Sequence, residues 1–170
     1  MSEGHLYWIT GLSGAGKTTI GKALYSHLKQ KKDNVLLLDG DILREVYRVT
    51  DYSPEGRKAL AYQHSRLCKL LTEQGIDVVI CLIAMYEECR AWNRENIKNY
   101  HEIYLKVSIE ELIRRDQKQL YSKALENKES NVLGINAPFE EPEKPELVIE
   151  NEGAMTPAEI VRRIMDVCSQ

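Results

Sequence analysis

The sequence lacks the features that mark several classes of protein. Its formal net charge is −3, whereas proteins that bind duplex nucleic acid usually present a concentrated basic surface. Its longest apolar run, residues 78–85, is far shorter than the roughly 20 residues that span a bilayer. Residues 1–10 contain no basic region followed by an apolar one, so no secretory signal is predicted. We therefore expect a cytoplasmic protein that binds neither nucleic acid nor membranes.

Cysteine and histidine are also too scattered along the chain to predict a metal centre. The four cysteines include no C-x-x-C pair and no histidine at ligand spacing, so free thiols are expected. The sequence gives no reason to place a histidine in a functional site; the four are His5, His27, His64 and His101.

A phosphate-binding motif lies near the N terminus. Residues 11–18, "GLSGAGKT", match G-x-x-x-x-G-K-[ST], in which backbone N–H groups surround phosphate oxygens. An apolar stretch precedes the motif, and an amphipathic helical pattern from Lys17 to about Lys29 follows it. The motif predicts that ATP is bound with Mg²⁺, with Lys17 on the β and γ phosphates and Thr18 on the metal. The predicted ATP-binding residues here are Gly11, Ser13, Gly14, Ala15, Gly16, Lys17, Thr18 and Thr19.

Strand and helix patterns alternate along the rest of the chain. Apolar strands are predicted at 34–39, 76–84, 101–107 and 147–150, with helices at 54–75 and about 87–98. Capping boxes at Ser108–Glu111 and Thr156–Glu159 each begin a further helix. This order predicts an α/β fold, a parallel sheet flanked by helices on both faces, in a single P-loop domain over residues 1–170.

Residues 117–145 interrupt the alternation; we call them the lid segment. They are polar, end in proline and show little periodicity typical of a core. Such a stretch is usually a lid or a disordered loop, and a lid is favoured because phosphoryl transfer must exclude water. Arg115 just before this segment, and Lys118 and Lys123 within it, are the candidate cations for the transition state.

Two carboxylates, Asp39 and Asp41, lie at the end of the second predicted strand. Either could accept a proton from an acceptor hydroxyl or hold a metal-bound water, and Asp39 could instead cap the next helix. Arg44 follows one turn later and suits a second anionic group. Tyr52, Arg57 and the chain after Ile83 are expected on the same acceptor side.

Four stretches resemble the adenylylsulfate kinase family: "GLSGAGKTT", "LLDGDILR", "RRDQKQLYSKA" and "LGINAPFEEPEKPELVIE". The resemblance covers almost the whole chain. It implies phosphoryl transfer from ATP to the ribose 3′-hydroxyl of a nucleotide with a modified 5′-phosphoanhydride, by an enzyme that often forms homodimers.

The resemblance also implies roles for individual residues. Asp41 would orient or deprotonate the hydroxyl, and Lys118 would assist the transition state alongside Lys17. Arg44 and Arg57 would hold the anhydride, and Arg115 would border the ATP adenine. The implied acceptor-binding residues are Asp39, Asp41, Arg44, Tyr52, Arg57, Ile83, Ala84, Lys118, Leu120 and Val132.

The departures from the family pattern cluster on the acceptor side. Val132 replaces a phenylalanine that stacks on adenine from the lid, and Tyr52 replaces the opposite one. Leu60 stands where the family has asparagine. Glu87 stands where the family has arginine, and we expect it to disfavour further negative charge nearby.

Two acceptors therefore compete. A branch of the wider family with this pattern acts on cytidine 5′-diphosphoramidate in capsule synthesis, and we place it ahead of adenylylsulfate. A kinase for a sugar or small acid is disfavoured by the lid segment. A nucleotide-dependent regulatory switch is disfavoured because "NKES", residues 127–130, has Ser130 where guanine recognition requires aspartate.

Overall fold

A five-stranded parallel sheet organises the protein, seen in a computed structural model that describes residues 2–168. The strand order is β2-β3-β1-β4-β5, and every neighbouring pair runs parallel. The α/β prediction is confirmed. The strands are β1 (Leu6–Thr10), β2 (Val35–Asp39), β3 (Asp77–Leu82), β4 (Tyr100–Lys106) and β5 (Leu147–Glu150).

Helices connect the strands, and several begin at the predicted caps. Ser53 accepts a hydrogen bond from Gly56 N at 3.1 Å. Thr156 and Glu159 cap each other reciprocally, at 2.7 Å and 3.3 Å. The helices are α1 (Lys17–Lys29), α2 (Gly40–Tyr47), α3 (Pro54–Glu73), α4 (Glu87–Asn96), α5 (Ile109–Arg115), α6 (Leu120–Leu125) and α7 (Pro157–Cys168), with a 3₁₀ turn at Gln117–Gln119.

The capping box predicted at Ser108 forms only in half. Ser108 Oγ accepts from Glu111 N at 3.3 Å, as expected of an N-cap. Glu111 does not return to the Ser108 backbone, because Arg114 and Arg115 engage its carboxylate. Glu152 instead accepts the hydrogen bond from Ser108 N, at 2.8 Å.

Helices cover both faces of the sheet. Alternate residues of β1 point to opposite sides, so that Ile9 belongs to one hydrophobic cluster and Trp8 to the other. The first cluster packs the sheet against helices that include α1 and α7, and the second packs it against helices that include α2 and α3. The carboxyl ends of the strands stay free for a site, as is usual in such sheets.

The lid segment contributes more to the core than its polar sequence predicts. Tyr121, Ala124 and Val132 are almost fully buried in the cluster that contains Ile9. Tyr121 Oη also donates to the backbone oxygen of Ser13 at 2.6 Å. The short helix α6 makes this contribution although the segment shows little apolar periodicity, because it places Tyr121 and Ala124 on one face.

The fold also brings scattered histidines and cysteines together. His101, Glu146 and Cys168 offer ligand atoms within 4.8 Å of one another. Both ring nitrogens of His101 already have hydrogen-bond partners: Nδ1 contacts Glu146 at 2.8 Å and Nε2 contacts His5 at 2.9 Å. All four cysteines are buried free thiols. Across residues 2–168, no helix has both the length and the apolar character needed to cross a bilayer.

Candidate active site

The phosphate loop joins β1 to α1, and its backbone fits tightly against neighbouring chain. Gly16 has φ 94°, and a Cβ there would lie 2.7 Å from Asn151 Nδ2. A Cβ on Gly11 would lie 2.6 Å from the backbone oxygen of Leu105. Asn151 Nδ2 also donates to Ala15 O at 2.8 Å. Packing beneath the loop therefore requires both glycines and keeps the loop in one shape.

Lys17 lies at the start of α1 with its ammonium group largely withdrawn from water. Its Nζ donates to the Leu12 carbonyl at 2.7 Å. Burial lowers the pKa of Lys17 to about 8, although the carboxylates of Asp41 and Asp39 act in the opposite direction. A desolvated cation beside a loop of backbone groups fits a polyphosphate, whose charge would offset the desolvation.

Thr18 and Asp39 form an oxygen-rich pair beside the loop. Thr18 Oγ1 donates to Asp39 Oδ2 at 2.9 Å, and Asp39 Oδ1 accepts from Asp41 N at the same distance. Asp39 is thus the N-cap of α2, one of the two roles left open by the sequence. Hydroxyl and carboxylate oxygens are the ligands that Mg²⁺ prefers, so this pair fits the metal that the motif predicts.

Asp41 and Lys118 face each other from α2 and the lid segment. Asp41 Oδ2 lies 3.5 Å from Lys118 Nζ, and the two side chains are 79% and 76% exposed. Lys118 has φ 59°, in the left-handed region that residues other than glycine seldom adopt. Asp41 could accept a proton here, and Lys118 places a positive charge beside it. Both side chains are open to solvent and line the same cavity as Lys17.

Arg44, Tyr52 and Arg57 form the opposite end of the site. The Arg44 guanidinium lies 4.2 Å from the Tyr52 ring centroid, and that of Arg57 lies 5.9 Å away. Arg44 Nη1 also donates to the Asp51 backbone oxygen at 2.8 Å. Two cations that share one aromatic ring give this end the character of an anion-binding site.

One cavity of about 760 Å³ connects these groups. Its volume is within the range of small-molecule sites. The sequence-predicted residues that line it are Ser13, Gly14, Gly16, Lys17, Thr18, Thr19, Asp39, Asp41, Arg44, Tyr52, Arg57, Ile83, Ala84, Arg115 and Lys118.

Arg115 fastens the end of α5 to the phosphate loop. Its Nη1 donates to Gly14 O at 3.1 Å, and its Nη2 donates to Asn151 O at 2.7 Å. Glu111 accepts from its Nε at 2.8 Å. Arg115 therefore borders the loop, in agreement with a position beside a bound nucleotide.

Four predicted site residues lie outside the cavity wall. Val132 is 5% exposed and belongs to the core, while its neighbour Leu133 lines the cavity. Leu120 packs against the same core. Gly11 and Ala15 shape the loop from beneath. In this structure the lid segment turns the Val132 side chain towards the core, so that Leu133 rather than Val132 faces the cavity.

Two charged residues that the sequence connected with the site, Glu87 and Lys123, do not line the cavity. Glu87 binds Arg90 at 2.9 Å and also binds Arg94. Burial would raise the pKa of Glu87, but the hydrogen bonds from these arginines lower it. The Glu87 carboxylate is therefore paired with two arginines of its own helix. This pairing gives no support to the expectation that Glu87 disfavours anions at the acceptor site. Lys123, a candidate lid cation, is exposed and does not line the cavity.

Several lining residues received no role from the sequence. Leu60, Ala61 and His64 lie three, four and seven residues after Arg57, which did receive a role, and they share its face of α3. This helical spacing was a usable signal for His64, which lies two turns beyond Arg57. The other unassigned lining residues are Gly40, Ile42, Cys81, Leu82, Met85, Tyr86 and Leu133.

The parallel sheet, the phosphate loop and the facing acid and cation define a P-loop phosphotransferase whose acceptor is a hydroxyl group. The sequence profile described as "Adenylylsulphate kinase" matches residues 3–150. The chain belongs to the adenylylsulfate kinase family and is a nucleotide kinase.

The names of individual relatives give different substrates. The chain is 46% identical over 147 residues to the cytidine diphosphoramidate kinase of Campylobacter jejuni, covering 86% of each chain. It is 36% identical over 162 residues to a probable adenylyl-sulfate kinase of Pyrococcus abyssi, covering 92% of this chain and 90% of that one. The structure of the Mycobacterium tuberculosis APS kinase CysC in complex with AMPPNP and APS superposes with a TM-score of 0.91 at 26% identity, over all of both chains.

Proposed function

We propose that the protein transfers the γ-phosphoryl group of ATP to the ribose 3′-hydroxyl of cytidine 5′-diphosphoramidate. The observation that carries the proposal is the position of Asp41 and Lys118. They meet 3.5 Å apart on the wall of a cavity that has the phosphate loop at one end and Arg44 and Arg57 at the other.

Each group has one task in this reaction. Lys17 and the loop amides bind the ATP phosphates, while Thr18 and Asp39 would hold Mg²⁺, which neutralises phosphate charge when it is bound. Asp41 orients the acceptor hydroxyl and accepts its proton. Lys118 lies close enough to Asp41 to balance charge that develops during transfer.

The anion-binding end accounts for an acceptor with two linked 5′ groups. Arg44 and Arg57 both approach Tyr52, so that an anhydride would contact two guanidinium groups while a base could stack on the exposed ring. The similarity to the Campylobacter jejuni kinase supports cytidine diphosphoramidate in particular.

Adenylylsulfate is the second candidate acceptor. The sequence profile and the relative from Pyrococcus abyssi support it, as does the APS named in the superposed complex. The aliphatic wall at Leu133 favours the first candidate, because an adenine held between two rings would lose one of its stacking partners there. Homodimer formation and a cytoplasmic location stay predictions for either acceptor.

The test is a direct comparison of the two acceptors at equal concentration with ATP and Mg²⁺. ATP consumption gives the rates, and ³¹P NMR locates the new phosphate on the ribose. Cytidine diphosphoramidate should be converted to its 3′-phosphate with the higher kcat/KM. Preferential turnover of adenylylsulfate would refute the proposed acceptor, and phosphorylation at another position would refute the proposed reaction.

A further inference from the structure

The loop between β3 and α4, residues 83–86, forms one wall of the cavity; we call it the wall loop. All four of its residues line the cavity: Ile83, Ala84, Met85 and Tyr86. Tyr86 Oη donates to the Pro54 backbone oxygen at 3.4 Å, at the start of α3. Burial raises the pKa of Tyr86, although the nearby Arg57 guanidinium acts in the opposite direction. The wall loop therefore lies against the anion-binding end of the cavity.

The wall loop is fixed at its start but not by its own residues at its end. At the start, Thr10 Oγ1 donates to the Ile83 backbone oxygen at 2.5 Å. Ala84 has φ 23°, and a residue in this uncommon region keeps its conformation only where its surroundings hold it. Tyr86 is the N-cap of α4, and among residues 2–168 its side chain makes no capping hydrogen bond.

The lid segment supplies the missing contacts through Glu140. Its Oε2 accepts a hydrogen bond from Glu87 N at 2.6 Å, so a residue far along the chain caps the first turn of α4. Its backbone N–H donates to the Met85 carbonyl at 3.4 Å. A carboxylate at a helix N terminus satisfies a free N–H and interacts favourably with the helix dipole. Glu140 thus contacts both sides of the turn from the wall loop into α4.

Arg90 keeps Glu140 in this position. Its guanidinium is fully buried, and its Nη2 donates to the Glu140 backbone oxygen at 3.1 Å. Its Nε donates to the Glu87 carboxylate at 2.9 Å. Arg90 therefore joins the end of the lid segment to α4, and a buried arginine does not give up such partners readily. The Glu140 residue itself is exposed, so its side chain can be shortened without leaving a cavity.

We propose that Glu140 is a positioning residue, which from the lid segment holds the wall loop in the arrangement that binds the acceptor. Glu140 is not among the described residues that line the cavity, so it acts through Met85 and Tyr86. The inference rests on the proposed function, in which this end of the cavity takes the acceptor. The apparent affinity of a site falls with the fraction of molecules in the binding-competent arrangement. Loss of Glu140 therefore weakens binding of the acceptor and spares the phosphate loop at the other end.

The test measures the KM of each substrate in wild type, Glu140→Ala and Glu140→Gln. The acceptor KM should rise roughly threefold to tenfold in Glu140→Ala, the effect of about one net hydrogen bond. The KM for ATP should not change. Glu140→Gln should stay within about twofold of wild type, because its amide oxygen can still accept from Glu87 N. Glu143→Ala removes another exposed carboxylate of the lid segment and should match wild type.

Amide hydrogen exchange separates positioning from a general loss of stability. In Glu140→Ala, exchange should be faster across residues 84–90 and unchanged in α1. A higher acceptor KM together with this local change supports the role of Glu140. The inference is overturned by an unchanged acceptor KM, by equal rises in the KM of both substrates, by equal losses in Glu140→Ala and Glu140→Gln, or by unchanged exchange across residues 84–90.

The outcome for Glu140 can be told apart from the outcome for the proposed acceptor. If wild type uses adenylylsulfate and not cytidine 5′-diphosphoramidate, the proposed acceptor fails. The same KM comparison is then made with adenylylsulfate in the same variants. A rise confined to the acceptor KM in Glu140→Ala still supports the positioning role, and an unchanged acceptor KM refutes it.

Discussion

The two ends of the cavity are held together in different ways. At the phosphate loop, Gly16 packs against Asn151 and Lys17 contacts a carbonyl of the loop itself. At the acceptor end, Asp41, Lys118 and Tyr52 are 79%, 76% and 54% exposed. The first end is part of the packed structure, whereas the second consists of side chains projecting from α2, from the lid segment and from the chain before α3.

This difference suggests how one scaffold can serve several acceptors. A change beneath the loop disturbs backbone packing, so the ATP end tolerates little variation. Exposed side chains at the acceptor end can be replaced at small cost to folding. Acceptor choice can therefore change while the phosphate-binding end stays the same.

Lys17→Met should produce the largest loss of activity. We expect kcat/KM to fall by about 10³-fold, because the variant lacks the cation that binds the ATP phosphates in the proposed reaction. Lys22→Met, an exposed change on the same helix, is the matched control and should be close to wild type. Steady-state kinetics and direct ATP binding measure both variants, and near-normal ATP binding by Lys17→Met would contradict the assignment.

The same variant tests whether Lys17 is desolvated. The pKa of Lys17 is about 8 in the folded protein, whereas an ordinary exposed lysine, as in the unfolded chain, has a pKa of 10.5. Between these values the unfolded chain binds more protons, so this group makes wild-type stability rise with pH. Lys17→Met should lack that rise. Urea unfolding of both proteins at pH 8 and at higher pH gives the difference, in which other titrating groups cancel.

Asp41→Asn should reduce kcat by about 10²-fold to 10⁴-fold, the usual contribution of a general base. The KM for ATP should change little, since in the proposed reaction Asp41 contacts the acceptor hydroxyl rather than the nucleotide phosphates. Glu45→Gln, on the exposed part of α2, controls for a lost carboxylate. Equal losses in both variants, or an intact kcat in Asp41→Asn, would remove Asp41 from the reaction.

The sequence predicted the parts of the site whose geometry is local. The phosphate loop is specified by glycines within one short motif, and the cap at Asp39 by residues next to it. The alternation of strands and helices then placed both at the carboxyl edge of the sheet.

The residues that the sequence misplaced depend on long-range packing. The lid segment folds against the core so that the Val132 side chain is buried and the Leu133 side chain faces the cavity. No neighbouring residue in the sequence indicates which of the two side chains is buried. Glu87 turns away from the cavity because Arg90, a buried cation, needs a carboxylate. His64 could have been connected to Arg57 by its spacing on the predicted helix, but its burial and its unpaired ring nitrogens are visible only in three dimensions.

Lys118→Ala should have a smaller effect than the loss of Asp41. Its ammonium group is exposed, and water can screen part of the charge that it supplies. We expect kcat to fall by roughly 10-fold to 100-fold, with the KM for ATP nearly unchanged. Lys123→Ala, a lid cation outside the cavity wall, should keep wild-type kcat. Similar losses in both variants would mean that the lid acts through its overall charge.

Two separate substitutions, Val132→Phe and Leu133→Phe, should distinguish a residue that packs in the core from one that affects acceptor choice. Their expected effects on rate are the smallest of those predicted. Val132→Phe enlarges a buried side chain and should lower the free energy of unfolding by about 1–3 kcal/mol. Leu133→Phe should leave stability nearly unchanged and raise kcat/KM for adenylylsulfate a few-fold over the cytidine acceptor, because a ring pair adds about 0.5–1.5 kcal/mol. Chemical unfolding and the two-acceptor assay measure both variants. If Val132→Phe instead shifts acceptor choice at no cost in stability, the lid segment must turn over when the acceptor binds, and the acceptor end would be less fixed than its contacts imply.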